Sequence, residues 1–276
     1  MYTQLQNRDV DRPPVTLATL ARMRAEQQKI ACLTAYDASF GRLLDEAGVD
    51  VVLAGDSLGM VIQGHDTTVP VTMDQMVYHS AAVARGLRRA LLMTDLPFMS
   101  YTSPQQALTN ATRLMQDGGA RIVKLESGAS QLQIVEFLAG HDIPVCAHLG
   151  LRPQSVHKTG GFRVQGREQQ AAERMLADAR ALEAAGADLL LLECIPSALG
   201  KTITEAVHVP VIGIGAGPST DGQILVLYDI LDITGGRKPR FVRNFMAGAG
   251  DCAQAVQAYV EAVRTGSYPA AEHEFA

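Results

Sequence analysis

The sequence predicts one α/β domain, a (β/α)8 (TIM) barrel preceded by an N-terminal helix. Three observations predict it. Eight short apolar runs alternate with helical patterns along the chain. The runs lack the in-and-out alternation of one-sided strands, as strands of a parallel sheet covered on both faces do. The length, 276 residues, is close to the roughly 250 that such a barrel uses. An open doubly wound sheet would show the same alternation, but the first run is not followed by a glycine-rich turn opening a helix.

The elements follow in order. Thr16 reads as the N-cap of a helix over 16–28, with Leu17, Leu20, Ala21 and Arg24 at helical spacing. The apolar runs occupy 30–35, 51–54, 91–94, 122–125, 144–147, 189–192, 211–214 and 224–227. Between them, Thr72 and Gln75 form a capping box whose helix Gly86 can end. Ser103 and Gln106 form another, with Pro104 at the first helical position and Gly118 at the far end. Ala172, Met175, Leu176, Ala179 and Leu182 make an apolar stripe before Gly186. Ala253, Val256, Val260 and Val263 make the last one before Gly266. No repeat, low-complexity stretch or linker interrupts the pattern, so one domain is expected over 1–276, with a C-terminal tail at 267–276.

Composition narrows the function. Hydrophobic residues at 47% are ample for a core, and 19% charged residues are too few for a disordered polyelectrolyte. The formal charge of −5 lacks the basic excess of a nucleic-acid binder. No apolar run approaches the ~18 residues of a membrane span. Arg8, Asp9, Asp11 and Arg12, followed by Pro13-Pro14, leave no apolar stretch for a secretory signal. Cys32, Cys146, Cys194 and Cys252 form no CxxC pair and read as reduced thiols, three of them in or beside apolar runs. That pattern suits a cytoplasmic protein.

The chemistry lies in what ends the runs. The second run ends at Asp56-Ser57, the third at Asp95, and the fourth carries Lys124 and Glu126. The fifth ends at His148 and the sixth at Glu193. In a parallel barrel all these ends open on one rim, where active sites are built. A single charged strand end only marks a chain leaving the core; five in succession point to a site. Four carboxylates in one mouth repel each other unless a cation or protons neutralise them. All-oxygen ligands of this kind suit Mg²⁺ or another hard divalent ion rather than zinc. Lys124 and Glu126, two apart, share a face, so the ammonium either binds an anionic substrate or balances Glu126.

Other features are read both ways. Gly213 to Gly217 resembles a backbone cradle for an anion, or only permits close chain approach. The loop 149–167 carries Arg152, His157, Lys158, Arg163 and Arg167, and is either a ligand clamp or a solvated basic surface. His148 is either a hydrogen-bond partner of a bound substrate or a satisfied strand-end histidine. His65 and Asp66 either gate the site or are ordinary loop residues.

Several segments carry a resemblance. They are Leu33-Thr34-Ala35-Tyr36-Asp37, Gly55-Asp56-Ser57-Leu58-Gly59-Met60 and Gln63-Gly64-His65-Asp66-Thr67-Thr68. They continue with Asp95-Leu96-Pro97-Phe98-Met99, Val145-Cys146-Ala147-His148-Leu149-Gly150-Leu151 and Val164-Gln165-Gly166-Arg167. Leu192-Glu193-Cys194, the glycines from Gly213 to Gly217 and Asp221-Gly222-Gln223 complete the set. In this order the chain resembles the ketopantoate (3-methyl-2-oxobutanoate) hydroxymethyltransferases of pantothenate biosynthesis. The resemblance implies transfer of a hydroxymethyl group from 5,10-methylenetetrahydrofolate to 3-methyl-2-oxobutanoate through a Mg²⁺-stabilised enolate. It implies one Mg²⁺ per subunit, held directly by Asp56 and Asp95, with Glu126 as third carboxylate, directly or through water. It implies substrate binding by Asp56, Ser57, Asp95 and Lys124, with Ser57 and Lys124 on the keto-acid carboxylate, and Glu193 as catalytic base. A cytoplasmic homodecamer is implied as well. Ser127 departs from the family pattern, which has glycine there. Two other readings remain: a Mg²⁺-enolate lyase of the phosphoenolpyruvate mutase and isocitrate lyase type, and a non-catalytic barrel. The lyase reading lacks the Lys-Lys-Cys-Gly-His loop; the second does not explain a base beside metal-type carboxylates.

Overall fold

A computed structural model describes residues 13–236 and 238–276; Arg8, Asp9, Asp11 and Arg12 lie outside them. The order is α1 (Leu17–Ala25), β1 (Ile30–Thr34), α2 (Ala38–Ala47), β2 (Val51–Ala54), α3 (Leu58–Val61), α4 (Met73–Gly86) and β3 (Leu91–Asp95). Then come α5 (Pro104–Gln116), β4 (Ile122–Glu126), α6 (Leu132–Ala139), β5 (Val145–Gly150), α7 (Val156–Thr159), α8 (Gln169–Ala184) and β6 (Leu189–Glu193). The chain ends with α9 (Ser197–Ala206), β7 (Val211–Ile214), β8 (Gly222–Leu225), α10 (Leu227–Ile230) and α11 (Cys252–Arg264). The eight strands pair in sequence order and in parallel, and β8 returns to β1 to close a barrel. This is the (β/α)8 fold that the sequence predicts.

Alternation along the strands separates two cores. Ile30, Cys32, Val51, Leu53, Leu91, Met93, Ile122, Cys146, Leu189, Leu191, Ile212 and Ile224 cluster together in the lumen. The residues between them, such as Leu33, Val52, Leu92, Val123, Leu125, Ala147, Leu190 and Leu192, pack outward under the helices. Because successive strand side chains point to opposite faces, the lumen sets continue upward to named polar residues. Leu91 and Met93 lead to Asp95, Ile122 to Lys124 and Glu126, Cys146 to His148, and Leu189 and Leu191 to Glu193. The polar rim is therefore the top layer of the same stacking that fills the barrel.

The lower end is closed by α1. Thr16 caps it in a reciprocal box with Thr19, and Leu20 packs with the lumen set. Arg24 reaches across to Asp221 (2.7 Å), Thr204 O (2.8 Å) and the carbonyls of Val207 and Val209. The helix stops at Ala25, three residues before the predicted end.

Differences from the sequence reading have local causes. The eighth strand is Gly222–Leu225, not 224–227. Its first two residues pair through their backbones with Ile30 and Ala31, and Gly222 is needed because a Cβ there would sit 2.5 Å from Ile30 O. An apolar run does not register such residues; Leu227 instead opens α10. The fifth strand extends to Gly150 because His148, Leu149 and Gly150 pair with Leu191, Leu192 and Glu193. Thr72 and Gln75 form the expected box. At α5, Ser103 caps Gln106 N, but the Gln106 side chain reaches Thr102 N (2.7 Å) instead of closing the box on Ser103. The tail is packed rather than loose: Phe275 O accepts from Ser197 N (2.9 Å), and its ring meets Phe241. The four cysteines are unpaired, and three are buried. Among the described residues, no helix is long and apolar enough to cross a membrane.

Candidate active site

The mouth above the lumen brings together every residue singled out at the strand ends. β2 leaves the barrel through Gly55, where a Cβ would stand 3.2 Å from Asp95 Oδ2. That close approach lets Asp56 N donate to Asp95 Oδ2 at 3.0 Å. Next to it, the half-buried Ser57 shares a 2.9 Å hydrogen bond with the buried Tyr36 hydroxyl, which orients it. Asp95 pairs in register with Lys124 on β4, and the Lys124 ammonium forms an ion pair with Asp95 Oδ1. Asp56, Asp95, Lys124, Glu126 and His148 are all buried, whereas the Glu193 side chain keeps 16% of its surface exposed. Glu193 is thus the acid that an arriving molecule can reach.

Backbone geometry aims Glu193. It lies beside Gly150 in the β5–β6 pairing. Gly150 has φ +96, and a Cβ there would lie 2.2 Å from Glu193 O. On its other side Cys194 holds φ +48, a left-handed backbone uncommon for a residue with a side chain. Hydrogen bonds from Cys194 N to Ile214 O (2.9 Å) and from Gln165 N to Cys194 O (2.9 Å) keep it there.

The electrostatics are those of four acids around one ammonium. Burial, and then the charge of Asp95, push the Asp56 carboxyl up to about 7, with Lys124 and Gln154 opposing. Burial and Asp56 raise Glu126 well above the carboxylate range. Burial raises Glu193 to about 7 against the pull of Lys124. Burial works against the charge of Lys124, but Asp95, Asp56 and Glu126 outweigh it and keep the amine protonated. His148 is held neutral, its pKa far below the imidazole range through burial and the nearby Lys124. Its Nε2 stands 3.4 Å from Glu193 Oε2, and neither ring nitrogen has a hydrogen-bond partner.

This donor set fits a hard divalent cation. The acids offer oxygen ligands only, one lysine offsets one of four potential charges, and Glu126 Oε2 is buried with no partner. Among the described residues, no three His, Cys, Asp or Glu side chains stand together as a ready-made metal cluster. Mg²⁺ requires none, since it is commonly held by one or two carboxylates plus water and substrate oxygens.

Two residues that the strand-end pattern does not single out complete the mouth. Gln154, buried in the 149–167 loop, bonds to Asp56, Glu126 and Leu96 O, and Tyr101 bonds to Gln154. Glutamine and tyrosine in loops carry no pattern that marks them for a site. His157, Lys158, Arg163 and Arg167 of the same loop are exposed, and Arg152 reaches only as far as Ser127 O (3.4 Å). Ser127 folds its hydroxyl back on Leu125 O (2.9 Å), so the departure from glycine takes no site atom. The 213–217 glycines serve close packing. A Cβ on Gly213, Gly215 or Gly217 would meet Thr220, Phe241 or Ser197 within 2.8 Å, the close chain approach that the sequence allows. His65 and Asp66 are exposed in the loop after α3.

The ketopantoate hydroxymethyltransferase family profile matches residues 14–271. Curated relatives named 3-methyl-2-oxobutanoate hydroxymethyltransferase include one from Alkalilimnicola ehrlichii, 61% identical over 96% of this chain and 95% of its own. Another, from Halorhodospira halophila, is 59% identical over 95% of this chain and 94% of its own. Among solved structures, a putative phosphonomutase from Burkholderia cenocepacia superposes with TM-score 0.61 at 17% identity, over 79% of this chain and 95% of its own. A 2,3-dimethylmalate lyase of the PEP mutase/isocitrate lyase superfamily superposes with TM-score 0.56 at 18% identity, over 77% and 81%. At such identities these two share the barrel alone.

Proposed function

The chain belongs to the ketopantoate hydroxymethyltransferase family and is an enzyme, and on that premise we propose the reaction it performs. It transfers a hydroxymethyl group from 5,10-methylenetetrahydrofolate to 3-methyl-2-oxobutanoate, forming ketopantoate for pantothenate biosynthesis. The observation that carries this reading is one mouth holding a raised, reachable Glu193 beside the Asp56–Asp95–Lys124 cluster.

Asp56 and Asp95 would hold Mg²⁺, with Glu126 as the third carboxylate, directly or through water. When bound, the ion supplies Lewis-acid polarisation of the keto acid, which acidifies its C3 hydrogen. Lys124 presents a fixed positive charge to the substrate carboxylate. Ser57 offers its hydroxyl to the same group, oriented by Tyr36. Glu193 takes the C3 proton as general base. The electron pair left at C3 forms the new bond to the methylene carbon of the folate as one of its C–N bonds breaks. Water then displaces the second nitrogen and supplies the hydroxyl oxygen. Tetrahydrofolate leaves with the C3 proton and one proton of that water on its two nitrogens. The lumen floor of Leu53, Met93 and Leu191 closes the site from below. His148, neutral beside Glu193, leaves that carboxylate's charge uncompensated and its basicity intact.

Family membership favours this reaction over the lyase, which keeps only a shared barrel, and over a non-catalytic scaffold. The reading also includes a cytoplasmic homodecamer, which sedimentation of the 29.5 kDa chain would test. The direct test mixes protein, Mg²⁺, 3-methyl-2-oxobutanoate and methylenetetrahydrofolate in water and follows the methyl signals by proton NMR. The substrate doublet is expected to become a singlet as a hydroxymethyl signal grows, and a chelator is expected to stop both. A persistent doublet with active folate would refute the proposal.

A further inference from the structure

Gln154 is buried in a short turn (Pro153–Ser155) after β5, yet it touches the exits of three other strands. Its backbone N–H donates to Glu126 Oε1 at 2.8 Å. Its side-chain Nε2 donates to Asp56 Oδ2 at 2.8 Å and to Leu96 O, the residue after Asp95, at 3.0 Å. Its Oε1 accepts from the Tyr101 hydroxyl at 2.6 Å. The amide has one workable orientation. Reversed, its oxygen would face the Leu96 carbonyl, two acceptors with no proton between them.

We propose that Gln154 is a positioning residue for the metal ligands, and that Tyr101 sets its orientation. A neutral donor holds one oxygen of Asp56 and one of Glu126, so the other oxygen of each is the one left for a cation. Lysine or arginine in its place would bind as firmly but would cancel the charge that attracts the ion. The Tyr101 hydrogen bond polarises the amide and strengthens the donation to Asp56, as linked hydrogen bonds do. The same residue ties the 149–167 loop to the mouth, so seating of that loop and orientation of the ligands go together. This proposal rests on the assignment of Asp56 as a metal ligand.

The test measures metal binding without turnover, using Mn²⁺ as a paramagnetic stand-in and the loss of its free-ion EPR signal. Gln154→Met keeps the chain length and the backbone N–H but removes the amide. It is expected to weaken Mn²⁺ binding about 10- to 100-fold, the usual effect of losing an outer partner of a ligand. Tyr101→Phe is expected to weaken it about 2- to 10-fold, the worth of one hydrogen bond. A purely structural Gln154 would lower the melting temperature and leave the affinity of the folded protein unchanged. Wild-type affinity in folded Gln154→Met overturns the proposal. If that variant does not fold, wild-type affinity in Tyr101→Phe overturns it instead. Undiminished binding in Asp56→Ala, run alongside, would bring down the ligand assignment itself, an outcome distinct from failure at Gln154.

Discussion

Glu193 offers the sharpest quantitative test of the site. Burial lifts its carboxyl from the ordinary 4.5 to about 7, with Lys124 pulling the other way. A base of that strength is about half ionised at pH 7, about a tenth at pH 6 and about nine-tenths at pH 8. Only the ionised form takes a proton. Deuterium exchange at C3 of 3-methyl-2-oxobutanoate in heavy water, followed by NMR without folate, isolates that step. The exchange rate is expected to climb about tenfold per pH unit below pH 6 and to level off above pH 8. Glu193→Gln is expected to flatten the profile and slow exchange by about 10²–10⁴-fold. Stability supplies a second, independent reading. The folded state binds this proton more tightly than the unfolded chain, so protonation stabilises the fold fully below about pH 4.5. That stabilisation is lost as pH rises through about 7. Glu193→Gln is therefore expected to melt near wild type at pH 4.5 and above it at pH 8. Exchange at wild-type rates in Glu193→Gln, or a wild-type limb near pH 4.5, would refute the reasoning.

Two further outcomes follow from the geometry. In Gly150→Ala the added Cβ would overlap Glu193 O at 2.2 Å and strain a φ of +96, so a loss of more than about 3 kcal/mol is expected by urea unfolding; a loss under about 1 kcal/mol would show that the β5–β6 exit yields easily. Arg24→Ala removes the hydrogen bonds to Asp221 and three carbonyls and is expected to cost about 1.5–3 kcal/mol, with amides of α1 exchanging faster than the barrel strands; unchanged protection in α1 would mean that Leu20 alone docks it.

Legibility differed between elements for physical reasons. Buried parallel strands need apolar residues on both faces, so all eight runs could be read to within three residues. The eighth was offset because Gly222 and Gln223 pair through backbone groups that hydrophobicity does not mark. Helix starts at Thr16, Thr72 and Ser103 were readable because caps are local chemistry. The glycines at 213–217 were ambiguous because an anion cradle and a close chain crossing demand the same residue. Their neighbours, Thr220, Phe241 and Ser197, show the close crossing.

The acids, the lysine and the histidine of the mouth could all be named from the chain, because a parallel barrel delivers every strand end to one rim. Their working states could not. That Asp95 pairs with a charged Lys124, that burial lifts Glu193 to about 7, and that His148 stays neutral depend on distances and desolvation between strands far apart in sequence. Gln154 and Tyr101 belong wholly to this second kind. A strand end is announced by local periodicity, whereas a loop side chain gains its role only when folding sets it against partners that no nearby residue encodes.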